Sequence, residues 1–295
     1  MSKFYACCLL LFVLPTFTVA QLPNTNLYLF KMTQLTDSLF HFKQAKFLTG
    51  FNIKGYNNQP QFFTNNELYF TAQAPEDSTQ TEIYLLNLAD YTKSRVTQSV
   101  DSEYSPTLLP DGGNFSCIRV EKDGEDTQRL WQFPINRSNN GRPVLKNVEN
   151  VGYHFWVNDT KLALFIVGEP HRLVMANINT KEITNITTNI GRCFQRLPNG
   201  NIAFLQKISD TNWQIKALDL ITYRSSVIVP SLEGSEDFVC LPEGTFLMAK
   251  GSKLYKYNKV IDKAWLEIAD FAAYGIRSIT RMAVSGDNKL VMVVN

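Results

Sequence analysis

Histidine is scarce in this chain. Three occur among 295 residues, His41, His154 and His171, and no two lie at metal-ligand spacing. No H-E-x-x-H signature, P-loop or dinucleotide fingerprint is present. No G-x-S-x-G elbow presents a serine nucleophile. Cysteine is nearly as rare, with five in all. Cys7 and Cys8 sit near the start, and Cys117, Cys193 and Cys240 are far apart, each in or beside an apolar strand pattern. They read as buried thiols acting as small hydrophobes. A Cys193–Cys240 disulfide is the alternative in an oxidising compartment.

Charge of one sign is also lacking. Lys and Arg total 29 against 27 Asp and Glu, a net charge of +2. Nucleic-acid binding needs a concentrated basic patch, and the sequence offers none. There is no low-complexity tract, and the 44% hydrophobic fraction excludes disorder. Long apolar runs are confined to one place, Phe4 to Leu14.

That run belongs to a three-part layout over residues 1–20. Lys3 supplies a positive start, Pro15 ends the apolar run, and Ala20 is a small residue at the expected cleavage point. The run is too short for a spanning helix, which needs ~20 apolar residues. Cys7 and Cys8 come early and not after the run, which argues against lipidation. The reading is a signal peptide cleaved after Ala20. Residues 21–295 are then one periplasmic or secreted domain with no membrane span.

What the chain does contain is strand-forming residues, with 20 Phe and 12 Tyr. It also contains a repeat. A polar turn, a short apolar strand, a tight turn and a second apolar strand recur. The tight turns lie at Asn65, Asp111, Asp159, Asn199, Glu243 and Gly286, every 40 to 48 residues. That period belongs to four-stranded propeller blades. Asn, Asp and Gly accept the backbone angles that a tight hairpin demands. Five copies continue into a second pair of strands that alternate apolar and polar, as in Glu82–Leu88 and Trp213–Leu218.

The sixth copy stops after two strands, while Asn26–Lys31 and Lys43–Leu48 form an outer pair with no inner pair before it. The two half-blades are complementary. The predicted fold is therefore an all-β, six-bladed propeller whose N-terminal strands complete the last blade, leaving no open edge.

Tyr104-Ser105-Pro106, followed three residues later by Pro110-Asp111-Gly112, resembles the S-P-x-x-S-P-D-G signature of the TolB-type, WD-like propeller repeat. Pro198-Asn199-Gly200 and Pro242-Glu243-Gly244 are degenerate forms of that turn; the other copies have lost the proline. The resemblance implies an architecture and transfers no activity by itself. In such families the propeller serves as a protein-binding platform in the bacterial envelope or is joined to a peptidase domain.

A propeller's ligand usually binds at one mouth of the central channel, on segments entering each innermost strand. Here those segments hold Gln59, Glu103, Tyr104, Tyr153, His154, Arg192, Glu236, Asp237 and Arg277, with Gln61, Ser102, Arg196 and Arg281 beside them. The mixture suits recognition of a protein, a peptide or a glycan in the cell envelope, without catalysis and without a cofactor or metal. His154, in the aromatic run Tyr153–Trp156, reads as packed and not as a base. The alternative is a metal-dependent hydrolase. Six-bladed lactonase-type propellers hold a divalent ion in the channel, and Glu103, Glu236 and Asp237 are the carboxylates that such a site would use. A third reading is a structural domain meeting its partner through an exposed aromatic patch elsewhere. The acidic stretch Glu121–Asp126 lacks the ligand spacing of a calcium loop and reads as a hairpin turn. The acceptor patterns at Asn114, Asn136, Asn158 and Asn185 read as turn and strand residues.

Overall fold

Alternation decides how this chain packs. In Lys289–Val294 the residues Leu290, Met292 and Val294 pack to one side and Val291 and Val293 to the other. A strand that is apolar on both faces needs cover on both. A ring of blades supplies it, because each sheet is sandwiched between two others. The computed structural model describes residues 22–295, and the export signal expected over 1–20 lies outside the described residues. Six antiparallel sheets of four strands surround a central axis, making a six-bladed propeller. Six apolar clusters occupy the interfaces between neighbouring blades.

The innermost strands, in chain order, are Asn57–Phe62, Ser102–Leu108, Val151–Trp156, Ile190–Arg196, Phe238–Cys240 and Ile279–Val284. Blades 1 to 5 run outward from the first five. Blade 6 is built from both ends of the chain, in the order Ile279–Val284, Lys289–Val294, Asn26–Gln34, Phe40–Phe47. Asn26 pairs with Val294 and Phe30 with Leu290 in antiparallel register. The N-terminal strand also works on both faces. Leu27 and Leu29 join the cluster against blade 1, and Phe30 and Met32 join the cluster against blade 5. No helix among the described residues is long and apolar enough to cross a membrane.

The turn between first and second strands of each blade is held in a recurring way. In blades 2, 4 and 5 the amide of Gly112, Gly200 or Gly244 donates to the carbonyl of Leu109, Leu197 or Leu241. All three glycines are left-handed, the conformation that glycine adopts without steric cost. In blade 6 Asn288 takes the glycine's place, with φ 63° and the matching bond to Ser285, so Gly286 is not the pivot there. Blades 1 and 3 cap the turn with a side chain instead. Thr64 Oγ1 accepts the Asn66 and Glu67 amides, and Asn158 Oδ1 accepts those of Thr160 and Lys161. Glu121–Asp126 forms the turn between Asn114–Glu121 and Thr127–Pro134, where Asp123 Oδ1 accepts the Glu125 and Thr127 amides.

Closure concentrates large side chains at one seam. Phe30 is fully buried, and its ring lies 4.8 Å from that of Phe271 and 5.1 Å from that of Tyr274. Phe30→Ala is expected to cost about 3–5 kcal/mol through lost burial and the cavity left behind. Val260→Ala, in an exposed turn of blade 5, should change stability by less than about 0.5 kcal/mol. Urea unfolding of the two variants checks the contrast.

Candidate functional site

The six innermost strands form the wall of the channel. A cavity of about 110 Å³ on the axis takes its lining from all six. Two larger cavities adjoin it where these strands begin. One of about 340 Å³ lies over blades 4, 5 and 6 and shares Arg192, Asp237, Arg281 and Met282 with the axial cavity. The other, of about 760 Å³, lies over blades 1, 2 and 3 and shares Gln59 and Tyr153 with it. The mouth thus has a charged half and a tyrosine half that meet at the axis.

Asp237 organises the charged half. Its carboxylate accepts a 2.8 Å bond from Arg192 Nε and lies 3.4 Å from Arg281 Nε. Arg281 reaches across the channel to donate to the Tyr153 hydroxyl at 3.3 Å, with its guanidinium 5.1 Å from the Tyr153 ring centroid. Burial disfavours the charge on Arg281, but Asp237 and Tyr153 more than offset this, so its pKa is raised and the guanidinium stays charged. Glu236 pairs with Lys207, and Arg192 Nε lies 3.9 Å away. Lys207 sits 4.3 Å above the Trp213 ring. In the tyrosine half, Tyr56 and Tyr104 meet edge to face at 6.3 Å, and burial pushes the Tyr56 hydroxyl pKa well up.

Gln59 both lines the channel and ties two blades together. Its backbone is left-handed, at φ 53°, and its side-chain oxygen accepts the amide of Ser105 across the blade 1–blade 2 boundary at 3.1 Å. Ser105 is left-handed too. These are bulges, where one inner strand carries extra residues against its neighbour.

Four expected residues gather at the mouth beside Gln59 and Tyr104: Tyr153, Arg192, Glu236 and Asp237. The other three are placed differently. Glu103 is fully buried between blades 1 and 2, where Arg119 Nε and the Ser99 hydroxyl donate to it. His154 touches the channel wall, but its ring is turned into the blade 2–blade 3 boundary. There Nε2 lies 2.7 Å from the Ser116 hydroxyl, which also accepts from Trp156. Burial pulls the His154 pKa down to about 3, so the ring is neutral. Arg277 is exposed on the approach to the last inner strand and lines neither the axial cavity nor the two beside it.

Sequence reasoning missed Tyr56, which immediately precedes the first inner strand, Asn57–Phe62. It also missed Lys207 and Trp213, which come from the hairpin between the second and third strands of blade 4, Ile202–Lys207 and Trp213–Leu218; their spacing carries no signal for that reach. Cys117, Cys193 and Cys240 are free thiols.

The three carboxylates that a channel metal would need do not converge. Glu103 is behind the wall, and Glu236 and Asp237 are each engaged by cations. Among the described residues no group of three or more His, Cys, Asp or Glu side chains is arranged to hold an ion.

No protein-family description and no curated sequence matches the chain. Solved structures do. TolB from Acinetobacter baumannii matches with a TM-score of 0.56 at 12% identity, over 92% of this chain and 64% of that one. A protein described as a TolB, from Agrobacterium tumefaciens, matches with a TM-score of 0.65 at 11% identity, over 92% of this chain and 98% of that one. The fold is that of the TolB-like propellers. A puromycin-hydrolyzing peptidase from Mycobacterium tuberculosis matches at 0.58 and 10% identity, over 81% of this chain and 42% of its own length. At these identities the likeness is one of fold, shared by proteins of different activity.

The Glu103 site has a measurable consequence. Burial, reinforced by the neighbouring Glu82 carboxylate, pushes the Glu103 carboxyl from 4.5 up to about 8, against the pull of Ser99 and Arg119. A carboxyl whose folded pKa is raised holds its proton in the folded state where the unfolded chain has released it. Its contribution is therefore present below the unfolded pKa and lost as pH rises toward about 8. The urea midpoint should fall as pH rises from about 5 to about 9, and Glu103→Gln should flatten that slope. An unchanged slope in the variant would remove Glu103 as its source.

Proposed function

We propose that the protein is an exported, non-catalytic propeller that binds a protein or peptide at the mouth of its central channel. The observation that carries this reading is the state of the titratable groups at the mouth. Glu236 and Asp237 are already paired with Lys207, Arg192 and Arg281, and His154 is neutral and hydrogen-bonded within the wall. General acid–base catalysis needs a group free to exchange a proton near neutral pH. The mouth offers guanidiniums, amides and tyrosine hydroxyls, which suit recognition of polar groups on a partner. Tyr, Trp and Arg are also the residues that anchor binding interfaces.

Extended peptides fit the wall for a further reason. Among the described residues, the inner edge of each innermost strand faces the channel and has no further strand to pair with. Backbone groups at such an edge can bond to an added chain. Export is supported by the layout of residues 1–20.

Panning a library of random linear peptides against the full chain tests the site. Enriched peptides should bind at least tenfold more weakly to Tyr153→Ala and equally well to Val260→Ala. Failure to enrich, or indifference to Tyr153, would reject the mouth as the binding site. A stoichiometric divalent ion that is lost in Asp237→Asn would replace the reading with a metal-dependent hydrolase.

A further inference from the structure

Charge inside the channel does not balance. Sixteen side chains and backbone segments line the axial cavity, and three of them are formally charged: Arg192, Arg281 and Asp237. His154 adds nothing, because it is neutral. Two guanidiniums therefore share the one carboxylate of the cavity; Glu236, 3.9 Å from Arg192 Nε in the adjoining cavity, is balanced by Lys207, so one positive charge is still in surplus. Arg281 and Asp237 are nearly enclosed, with side chains 13% and 10% exposed. A surplus charge in such a place is poorly solvated and is expensive unless an anion completes it.

The donors are also incompletely used. Arg192 spends Nε and Nη2 on Asp237. Arg281 spends Nη2 on Tyr153, and its buried Nε finds no aligned acceptor. A guanidinium carries five N–H donors in a fixed fork, so both arginines retain donors. The Tyr153 oxygen accepts from Arg281, which leaves its own proton for another acceptor. Tyr56 lies close enough to feel the charges of both arginines.

We propose that the channel is a binding site for a single carboxylate, held by Arg192, Arg281 and the Tyr153 hydroxyl and presented by an extended peptide. The inference rests on the mouth being the binding site and names what it binds. Planar carboxylates match the guanidinium fork in bidentate geometry. The surplus is one positive charge, and Asp237 stays beside the site and repels a second negative charge, which selects a monoanion over a phosphate dianion. The cavities of about 340 and 760 Å³ on either side give the rest of the chain room to continue across the mouth. The carboxylate can come from a peptide's C-terminus or from an acidic side chain within it.

Three alanine peptides separate these cases: acetyl-tetra-alanine with a free carboxylate, the same peptide as its amide, and acetyl-alanyl-glutamyl-alanyl amide. Each is titrated into the full chain and followed by calorimetry. At least one of the two acids should bind ten times tighter than the neutral amide, and which one does so identifies the source. Arg281→Met should abolish the preference. Tyr153→Phe removes a hydroxyl alone and should reduce it severalfold, which keeps the test valid if the arginine variant folds poorly. Equal binding of acids and amide would overturn the carboxylate site while leaving the mouth as a site for neutral peptides. Inorganic phosphate displacing the acids at lower concentration than acetate would overturn the monoanion. No binding by any of the three, together with an empty peptide selection, would reject the mouth itself.

Discussion

Pairing of Asn26–Gln34 with Lys289–Val294 is the contact on which this protein depends. A blade is apolar on both faces, so it is stable only between two neighbours. The ring must therefore close, and only this pairing closes it. It joins residues about as far apart in sequence as the described chain allows. Their entropic cost of meeting grows only slowly with the intervening length, and the return includes Leu27, Leu29, Phe30 and Met32 buried in two clusters at once. The channel is defined by the same closure. Arg281, from the last blade, meets Asp237 of the fifth and Tyr153 of the third only because blade 6 has been drawn into the ring.

Architecture was legible because it is written in periods. The turn spacing announced four-stranded blades, and the unmatched half-blades announced how they close. Even the degenerate turns keep their mechanism, with Asn288 standing where others use glycine. The site was legible only in part, and the reason is parity. Successive side chains on a strand point to opposite sides, so Tyr104 faces the mouth while Glu103 is buried behind it, and Tyr153 and His154 turn opposite ways although both reach the axial cavity. Bulges in the inner strands, at Tyr104/Thr107 and Val151/Tyr153, shift that parity without a mark in the sequence. The buried member of each pair is polar, which composition alone would have placed outside.

Those two buried residues have a role of their own. Glu103 and His154 stand at consecutive blade boundaries: Glu103 bonds to Arg119 of its own sheet and to Ser99 in the segment joining blades 1 and 2, while the Thr81 hydroxyl of blade 1 donates to its carbonyl, and His154 bonds to Ser116 of blade 2. Apolar interfaces between similar sheets can slide or exchange partners, because dispersion is nondirectional. A buried hydrogen bond has one satisfactory geometry and penalises the others. Gln59 adds a third such tie, from blade 1 to the Ser105 amide.

The seam also has a mechanical character. Asn26 and Val294 are direct partners in an antiparallel pair, so the two ends of the described chain enter and leave the ring side by side. A load applied between them would strain the ladder one rung at a time, as a zip opens, and would not shear all its hydrogen bonds together. The same junction that makes the ring a ring is thus its weakest point under tension, and a molecule tethered through both ends would open at blade 6 while the other five sheets kept their internal pairing.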